Sequence, residues 1–496
     1  MTNQVKIQLL LKIAQTFKMK TLSYEDKSSD TTFIMLLFFK FRYDYLLEEY
    51  AKHIGDLPKK LTLLAIEKQY QDDKVKNQFP HILELQILYK LKSYDNSDRI
   101  YHILQNLQKN YEQFYYESLA GFSKVILNYR KGEQISDNQK EALFQLKEEL
   151  FKGAFDFRLS VNNPNVSFND VLLHIFSRTS LKNFYTPKAL NQIVAAFVKD
   201  QHAKSIYDPA CGYGSMLIQS LSDSDVTAIY GQDIDEKIIF IAKMNAILSG
   251  VDKFKFKVKN SVLKDNSRND KVDMVITNPP PFFSGSSKEI GSSFSDAMFE
   301  NYNSNLHNAS DSEKFSINMS RRLKEDGLMI QVLPRNILYK EGISAKLRKA
   351  YISEINTLDA VIIPNIEESK VKLSSYVILV FDPKRVVRTI TKDKVNGNTI
   401  IHFEHKNTST LFIDCSRRKN ISPSDIASIY REKSEIPGLS KLVEKELIEA
   451  NDCSLKISLY IDSSTPAPDR RAIIVNIKKL EIKLVSVQKR LKELLN

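Results

Sequence analysis

The chain has 496 residues, of which 42% are hydrophobic, enough for two or three domains with substantial cores. Its formal net charge of +12 fits a polyanionic partner, although lysine-rich solvated faces explain such an excess equally well. The three cysteines, Cys211, Cys415 and Cys453, form no CxxC pair, which argues against a disulfide framework or a zinc site. Without a signal-peptide pattern or a bilayer-spanning apolar run, we expect a cytoplasmic protein with no bound metal and no membrane partner.

Three regions of the sequence differ in their pattern. In residues 1–165, glycine and proline are scarce and apolar residues recur at three- and four-residue spacing, which predicts a helical N-terminal domain. From 166 to 420, short β-branched runs such as SIYDP, VTAIYGQD and VDMVITNP alternate with helical patterns such as EKIIFIAKMNAILSG. This alternation predicts the α/β class, with a doubly wound, mostly parallel sheet. Gly250 and Gly327 are expected at helix C-caps.

Residues 421–496 form the third predicted region, which ends in a helix after the breaking segment TPAPDRR. The apolar residues of that helix follow one another at alternating spacings of four and three: Ile473, Ile477, Leu480, Leu484, Val487, Leu491 and Leu494. This seam predicts a coiled-coil-like helix, which needs a partner strip. A partner subunit or an intramolecular coiled coil is the favoured interpretation, and packing against the body of the chain is the alternative.

The most informative segment is SIYDPACGYGSML, in which a β-branched strand runs into a glycine-containing turn. Gly212 and Gly214 allow the backbone to turn sharply and to approach a ligand closely. The next strand ends at Asp233, whose carboxylate can accept hydrogen bonds from both ribose hydroxyls of a nucleoside. Because the GxGxxG phosphate pattern is not completed, the motif indicates a nucleoside cofactor without phosphates, such as S-adenosylmethionine.

A second motif, Asn278-Pro279-Pro280, ends the fourth predicted strand. Two consecutive prolines remove two backbone donors, so the Pro279 carbonyl is left beside the Asn278 amide oxygen as a second acceptor. These acceptors match the two N–H groups of an aromatic amine, whose lone pair is otherwise delocalised into the ring. Holding both hydrogens frees the lone pair for in-line attack on a sulfonium methyl. An isolated NPP is better explained as a rigid turn, but this one follows the glycine turn and its acid.

In this order the motifs resemble those of the methylation subunit of type I restriction-modification systems, a family of N6-adenine DNA methyltransferases. The segment FYTP precedes the glycine turn and the NPP element follows it. The resemblance implies a Rossmann-like methyltransferase sheet in which FYTP closes over the methionine end of the cofactor. The residues implied in cofactor binding are Tyr185, Thr186, Pro187, Asp208, Pro209, Ala210, Gly212, Gly214, Asp233, Asn260 and Asn278. Taken alone, Asn260 is nearly as well explained as a turn residue.

The same resemblance implies which residues carry catalysis: Asn278, Pro279, Pro280 and Phe282. In the family an aromatic residue follows the NPP element and stacks on the flipped-out base, and here that position is Pro281. We expect Phe282 to take over the stacking, shifted by one residue.

The function that the resemblance implies is that of a site-specific DNA-methyltransferase (adenine-specific), acting on adenine N6 in double-stranded DNA. The implied partners are a specificity subunit and a second modification subunit, and a restriction subunit is left open. Two alternatives stay open at the level of sequence. Pro281 favours a cofactor-binding but catalytically weak assembly subunit. An NPP element serves any planar amine, so an amino-methyltransferase acting on RNA or protein glutamine is the other alternative.

Overall fold

The computed structural model describes residues 27–54, 71–93, 137–151, 167–176, 186–279 and 322–462, together with residues 66 and 319. Short gaps inside these ranges fall at 80, 252, 260, 262–270, 355–356, 366, 369–370, 373–375, 393–398, 406–407 and 419. The chain divides into two compact units at Met329–Ile330. The domain boundaries expected after residues 165 and 420 stay predictions. The predicted C-terminal seam and its helix lie outside the described residues.

Helices make up the described N-terminal part of the first unit, as the sequence predicts. They are α1 (Lys27–Ile54), α2 (Asp73–Gln78), α3 (Ile82–Ser93), α4 (Asp137–Phe151) and α5 (Phe168–Phe176). Every residue of α1 from 33 to 44 is buried, including Lys40 and Arg42. A helix that is buried on all sides lies inside a fold rather than on its surface. Helix α1 is therefore a central element of the core of this unit.

Helices and strands alternate in the rest of the first unit. The elements are α6 (Lys188–Asp200), β1 (Ser205–Asp208), α7 (Ser215–Gln219), β2 (Ala228–Asp233), α8 (Glu236–Leu248), β3 (Phe254–Val258), β4 (Val272–Thr277) and the start of β5 (Leu323–Pro334). Strands β3, β2, β1 and β4 are neighbours in that order, and all three pairings are parallel. The carboxyl ends of β1, β2 and β4 therefore lie at one edge of the sheet, where ligands bind in folds of this class.

Helix α8 packs into the same hydrophobic cluster as the N-terminal helices. That cluster joins Phe38 of α1 and Leu85 of α3 to Ile241 of α8. The polar Asn245 of α8 is completely buried, and its Nδ2 donates to Asn169 Oδ1 at 3.0 Å and to the Tyr213 carbonyl at 3.2 Å. Since Tyr213 belongs to the turn after β1, the buried amide of Asn245 holds the backbone of that turn.

The second unit contains the end of β5 and strands that pair in both the parallel and the antiparallel direction. Its helices and strands are α9 (Ile343–Lys349), β6 (Leu358–Ile363), β7 (Glu367–Glu368), β8 (Val371–Lys372), β9 (Tyr376–Phe381), β10 (Val386–Lys392), β11 (Thr399–His405), β12 (Thr410–Asp414), α10 (Pro423–Glu432), β13 (Ser440–Val443) and α11 (Lys445–Ala450). Strands β6 and β12 pair in parallel, whereas β6–β9 and β12–β13 are antiparallel.

In the first unit the strand order of the main sheet is β5-β4-β1-β2-β3, and in the second unit it is β13-β12-β6-β9-β5. Among the pairings that the described residues give for these strands, four are parallel (β1–β2, β1–β4, β2–β3 and β6–β12) and two are antiparallel (β6–β9 and β12–β13). The prediction of a mostly parallel α/β sheet is confirmed. Two short antiparallel pairs, β7–β8 and β10–β11, stand outside this sheet and were not predicted from the sequence. Within the described residues, no helix combines the length and the apolarity of a membrane span.

Of the two glycines expected at helix C-caps, one lies at a helix end and the other lies in a strand. Gly250 follows α8 with a φ of +69°, so that prediction is confirmed. The prediction for Gly327 is wrong, because this residue lies inside β5. A Cβ on Gly327 would stand 2.6 Å from the Asp273 backbone carbonyl oxygen, so the glycine permits a close approach of two backbone segments. Lys324, three residues earlier, pairs with the Asp273 carboxylate at 2.5 Å.

A buried ion pair in the helical part of the first unit gives a test of its packing. Arg42 of α1 donates from Nε and Nη2 to the two carboxylate oxygens of Glu84 of α3, at 2.7 and 2.9 Å. Both side chains are at least nine-tenths buried. Removing one partner of such a pair takes the main counter-charge away from a buried charged group, whereas replacing both with apolar residues of similar volume costs little.

We therefore expect Glu84→Met alone to lower the free energy of unfolding by about 3–5 kcal/mol. The double variant Arg42→Met/Glu84→Met is the control and should recover most of that loss. Urea denaturation of the three proteins measures both values. An equal loss in the single and the double variant would contradict the role given to this pair.

Candidate functional site

The turn between β1 and α7 has the conformation for which its glycines were predicted. Gly212 and Gly214 adopt φ values of +53° and +79°, in the left-handed region that favours glycine. The Gly214 amide donates to the Cys211 carbonyl at 2.9 Å, which closes the turn. The Cys211 amide donates to the Gln232 carbonyl at 2.8 Å and fastens the turn to β2. The turn is thus fixed on both sides before α7 begins.

Asp233 ends β2 beside this turn. Its Oδ2 accepts from the Gly212 amide at 3.1 Å, and its Oδ1 accepts from the Asp235 amide at 3.0 Å. Each carboxylate oxygen has a second lone pair, so the carboxylate can accept two further hydrogen bonds. Burial raises the pKa of Asp233, while the amides of Asp235 and Gly212 act in the opposite direction. The adjacent Ile234 is 47% exposed and offers an apolar surface next to the acid.

Asp208, the last residue of β1, is a buried acid. Its Oδ1 accepts from the Ala210 amide at 2.9 Å and from Thr277 Oγ1 at 2.7 Å. Burial raises the pKa of Asp208 to about 7, and the charge of Asp233 adds to that rise. Within the described part of the chain, Asp208 Oδ2 accepts no hydrogen bond. Because Thr277 is the last residue of β4, this contact joins the ends of two neighbouring strands.

The next two residues after β4 are Asn278, which is half-buried, and Pro279, which is buried. Asn278 Nδ2 donates to Thr186 Oγ1 at 3.2 Å, although 92 residues separate the two in sequence. This contact brings together the FYTP and NPP elements. The amide nitrogen of Asn278 is thereby engaged, and among the described residues its Oδ1 has no hydrogen-bond partner.

Thr186 and Pro187 stand at the start of α6, and a residue one turn later holds them in place. Asn191 is completely buried, and its backbone amide donates to the Pro187 carbonyl at 3.2 Å. Its side-chain Nδ2 donates to Ser215 Oγ at 2.9 Å and to the Thr186 carbonyl at 3.4 Å. Because Ser215 follows Gly214 directly, Asn191 connects FYTP to the glycine turn.

Hydrogen bonds and chain adjacency connect the predicted site residues that the structure describes. These are Thr186, Pro187, Asp208, Pro209, Ala210, Gly212, Gly214, Asp233, Asn278 and Pro279. The other predicted residues, Tyr185, Asn260, Pro280 and Phe282, lie outside the described residues. The described part of the chain contains no cluster of three or more histidine, cysteine or acidic side chains that could hold a metal ion.

Sequence reasoning missed three polar residues of this network: Asn191, Ser215 and Thr277. The signal that could have found them is a polar side chain where the surrounding pattern predicts burial. Asn191 interrupts an apolar helix face, and Thr277 ends the buried strand VDMVIT. Buried polar groups are nearly always hydrogen-bonded, so a polar residue at a position predicted to be buried indicates a buried hydrogen bond.

Comparison with known proteins identifies the family of the chain. The model of the N-6 DNA Methylase family matches residues 168–468. The chain belongs to this family. The methylase subunit of the type I restriction enzyme MpnII from Mycoplasma pneumoniae is 23% identical over 349 residues, which are 66% of this chain and 60% of that protein. The MjaVIII methylase subunit from Methanocaldococcus jannaschii is 25% identical over 86% of this chain and 74% of its own length.

A solved structure has the same fold. The type I restriction-modification methyltransferase subunit from Streptococcus thermophilus superposes with a TM-score of 0.62 at 18% identity, covering 93% of this chain and 100% of that chain. The resemblance stated from the motifs is confirmed at the level of the family. The chain spans 60% of the length of the Mycoplasma relative.

The raised pKa of Asp208 predicts a pH-dependent stability that Asp208→Asn removes. Between about pH 4, the ordinary pKa of aspartate, and about pH 7, the folded chain binds more protons at this carboxyl than the unfolded chain does. Its contribution to stability therefore falls as pH rises through that window. The neutral Asn variant should be the more stable protein at pH 8, by roughly 1.4 kcal/mol for each unit by which the pKa is raised.

Urea unfolding of both proteins without added ligand, between pH 5 and 8.5, measures this difference. It should shrink steadily toward pH 5, where the wild-type carboxyl is protonated. A difference that does not vary with pH would show that the Asp208 carboxyl does not titrate in this range.

Proposed function

We propose that this chain is a site-specific DNA-methyltransferase (adenine-specific), which transfers a methyl group from S-adenosylmethionine to adenine N6 in double-stranded DNA. The observation that carries the proposal is the contact of Asn278 Nδ2 with Thr186 Oγ1, which leaves Asn278 Oδ1 available as an acceptor. The carbonyl of Pro279, the next residue, is the proposed second acceptor. Membership of the N-6 DNA Methylase family supports the same chemistry. In this function the chain is the modification subunit of a type I restriction-modification complex.

The residues around the glycine turn fit S-adenosylmethionine. Asp233 keeps one lone pair on each oxygen for the two ribose hydroxyls, and the exposed Ile234 offers an apolar surface to the purine ring. Asp208 is a buried carboxyl with an available oxygen, which suits the ammonium group of the methionine end. When bound, the cofactor supplies an electrophilic methyl group on a positively charged sulfur. The contact assigned to Asn260 and the closure by Tyr185 stay predictions.

Asn278 and Pro279 bind and activate the amine. The Asn278 amide oxygen and the Pro279 carbonyl oxygen accept hydrogen bonds from the two N–H groups of the amine. These bonds pull the nitrogen toward tetrahedral geometry and localise its lone pair. A nitrogen held in this way would attack a sulfonium methyl carbon in line: the N–C bond would form as the S–C bond breaks, S-adenosylhomocysteine would leave, and the methylated amine would lose one proton to solvent, so no nucleophilic side chain is required. The rigid prolines hold the acceptors in place, so little reorganisation accompanies the reaction.

The substrate adenine has to leave the duplex, because its amine is inaccessible within the base stack. The stacking of the flipped base on Phe282 stays a prediction. A specificity subunit would read the DNA sequence, with two modification subunits and, as an open question, a restriction subunit in the complex. Proteins named type I methylase subunits among the relatives support this assembly. The cytoplasmic location stays a prediction from the sequence.

Transfer of tritium from labelled S-adenosylmethionine tests the function in the purified complex. We expect label in unmethylated genomic DNA, at the exocyclic amine of adenine after hydrolysis. Asn278→Ala should lower the single-turnover rate by orders of magnitude while the Kd for the cofactor stays within a few-fold, because the lost acceptor acts in the transition state.

Label in RNA or protein instead of DNA would support the other amino-methyltransferases. Cofactor binding without transfer to any substrate would support an assembly subunit. A loss of cofactor affinity in Asn278→Ala proportionate to the loss of rate would contradict the role given to Asn278.

Deleting residues 472–496 tests the predicted seam. The truncated chain should retain the thermal unfolding temperature of the full chain but fail to co-purify with the specificity subunit, because the apolar strip is lost. The matched control replaces Lys489, Lys492 and Glu493 with alanine, because these charged residues fall between the seam positions in the sequence and every seam residue remains. Co-purification of the truncated chain at the full-length level would overturn the assignment of the seam to this partner.

A further inference from the structure

Asn191 makes contacts that the proposed chemistry does not by itself explain. The residue is 0% exposed, and both hydrogen bonds of its side chain are donated by Nδ2. One runs to Ser215 Oγ at 2.9 Å and the other to the Thr186 carbonyl at 3.4 Å. A carbonyl oxygen can only accept, so the NH₂ group of Asn191 has to face Thr186. The orientation of the amide is thereby fixed.

This orientation leaves an acceptor without a partner. Asn191 Oδ1 is buried and makes no hydrogen bond to any residue that the structure describes. Such a group costs free energy, because it has lost its hydration without gaining a partner. A side-chain amide is the uncharged group that offers two N–H donors in so short a side chain. At position 191 the chain therefore has an amide whose two N–H groups are both used, although its oxygen is buried at a cost in free energy.

The contacts of Asn191 continue to the proposed acceptor of the amine. Thr186, whose carbonyl Asn191 holds, accepts at Oγ1 from Asn278 Nδ2 at 3.2 Å. The sequence of contacts Ser215–Asn191–Thr186–Asn278 links the residue after the glycine turn to the residue after β4. We call this set the amide relay.

We propose that Asn191 is a positioning residue for methyl transfer: by holding the Thr186 backbone carbonyl, it keeps the Thr186 hydroxyl at the place where it meets the Asn278 amide. This inference rests on the proposed function. The Thr186 hydroxyl holds Asn278 Nδ2 at 3.2 Å, and Asn278 Oδ1 is then the end of the amide left for the substrate. If the Thr186 backbone moved, its hydroxyl would leave the Asn278 amide, and the acceptor proposed for the amine would lose its support.

Another residue of the same unit provides a matched control. Asn245 of α8 is also 0% exposed, also donates two hydrogen bonds from Nδ2, and also has a buried Oδ1 without a partner. Its donors go to Asn169 and to the Tyr213 carbonyl, not to Thr186. Asn245→Ala therefore removes the same kind of buried contacts as Asn191→Ala while leaving the amide relay intact.

The experiment is a double-mutant cycle on the complex with its specificity subunit, using Asn191→Ala, Thr186→Val and the double variant. Thr186→Val removes the hydroxyl but keeps the backbone carbonyl and the shape. We expect each single variant to lower the single-turnover rate about 10- to 100-fold, as for a lost transition-state contact. The double variant should be no slower than the worse single variant, because both changes break one relay.

Three further measurements separate positioning from a general loss of structure. The Kd for S-adenosylhomocysteine, from calorimetry, should change less than about 3-fold in Asn191→Ala. Asn245→Ala should lower the thermal unfolding temperature as much as Asn191→Ala does, and any effect on function should appear in cofactor Kd rather than in rate. A crystal structure of Asn191→Ala should show that the Asn278 amide has left Thr186.

Additive losses in the cycle would overturn the inference, and so would a rate in Asn191→Ala that matches Asn245→Ala. If Asn191→Ala does not fold, Asn191→Asp replaces it in the cycle, since that side chain keeps the shape but sets an acceptor against the Thr186 carbonyl. An inactive wild-type complex would instead count against the proposed function. In that case the position of Asn278 in the variant crystal structure still decides whether Asn191 holds it.

Discussion

One buried hydrogen bond, from Thr277 Oγ1 to Asp208 Oδ1, holds the two halves of the site together. Parallel pairing sets β1 beside β4, but it does not fix how the segments leave the two strands. The Thr277 contact does so, because Asp208 begins the glycine turn and Asn278 follows Thr277 directly. The Ala210 amide shares the same acceptor oxygen, so one carboxylate oxygen orients both segments. The positions of Asp233 on one side and Asn278 on the other depend on this contact.

Two buried asparagine side chains next to the site support it by donating hydrogen bonds from Nδ2. Asn191 supports the FYTP segment and Asn245 supports the glycine turn, and each has a buried oxygen without a partner. The packing explains this arrangement. Helix α8 is enclosed by the N-terminal helices, so water does not reach the backbone polar groups of the glycine turn, and side chains supply their hydrogen bonds instead. The helical N-terminal part of the chain therefore contributes to the site without supplying a predicted site residue.

The sequence predicted the parts of the site that have local signals. Strand β1, its glycine turn and Asp233 follow one another within 30 residues, and each has a recognisable residue type. The contact of Thr186 with Asn278 has no local signal, and its prediction depended on the family resemblance. Asn191 and Thr277 were missed because a neutral polar residue predicts no chemistry by itself. Gly327 was misassigned because a glycine after a helical pattern and a glycine at a close backbone approach look alike in sequence.

The electrostatics of the site favour a cationic ligand. Asp208 and Asp233 both have a raised pKa, and each is raised first by burial, with the charge of Asp233 adding to the effect at Asp208. None of the groups that shift the pKa of Asp208 is a cation. A ligand that brings positive charge to this edge of the sheet makes ionisation of Asp208 less costly, and its binding then strengthens as pH rises toward 7. The ammonium group of a methionine-type ligand would supply such a charge, which is the contact proposed for Asp208.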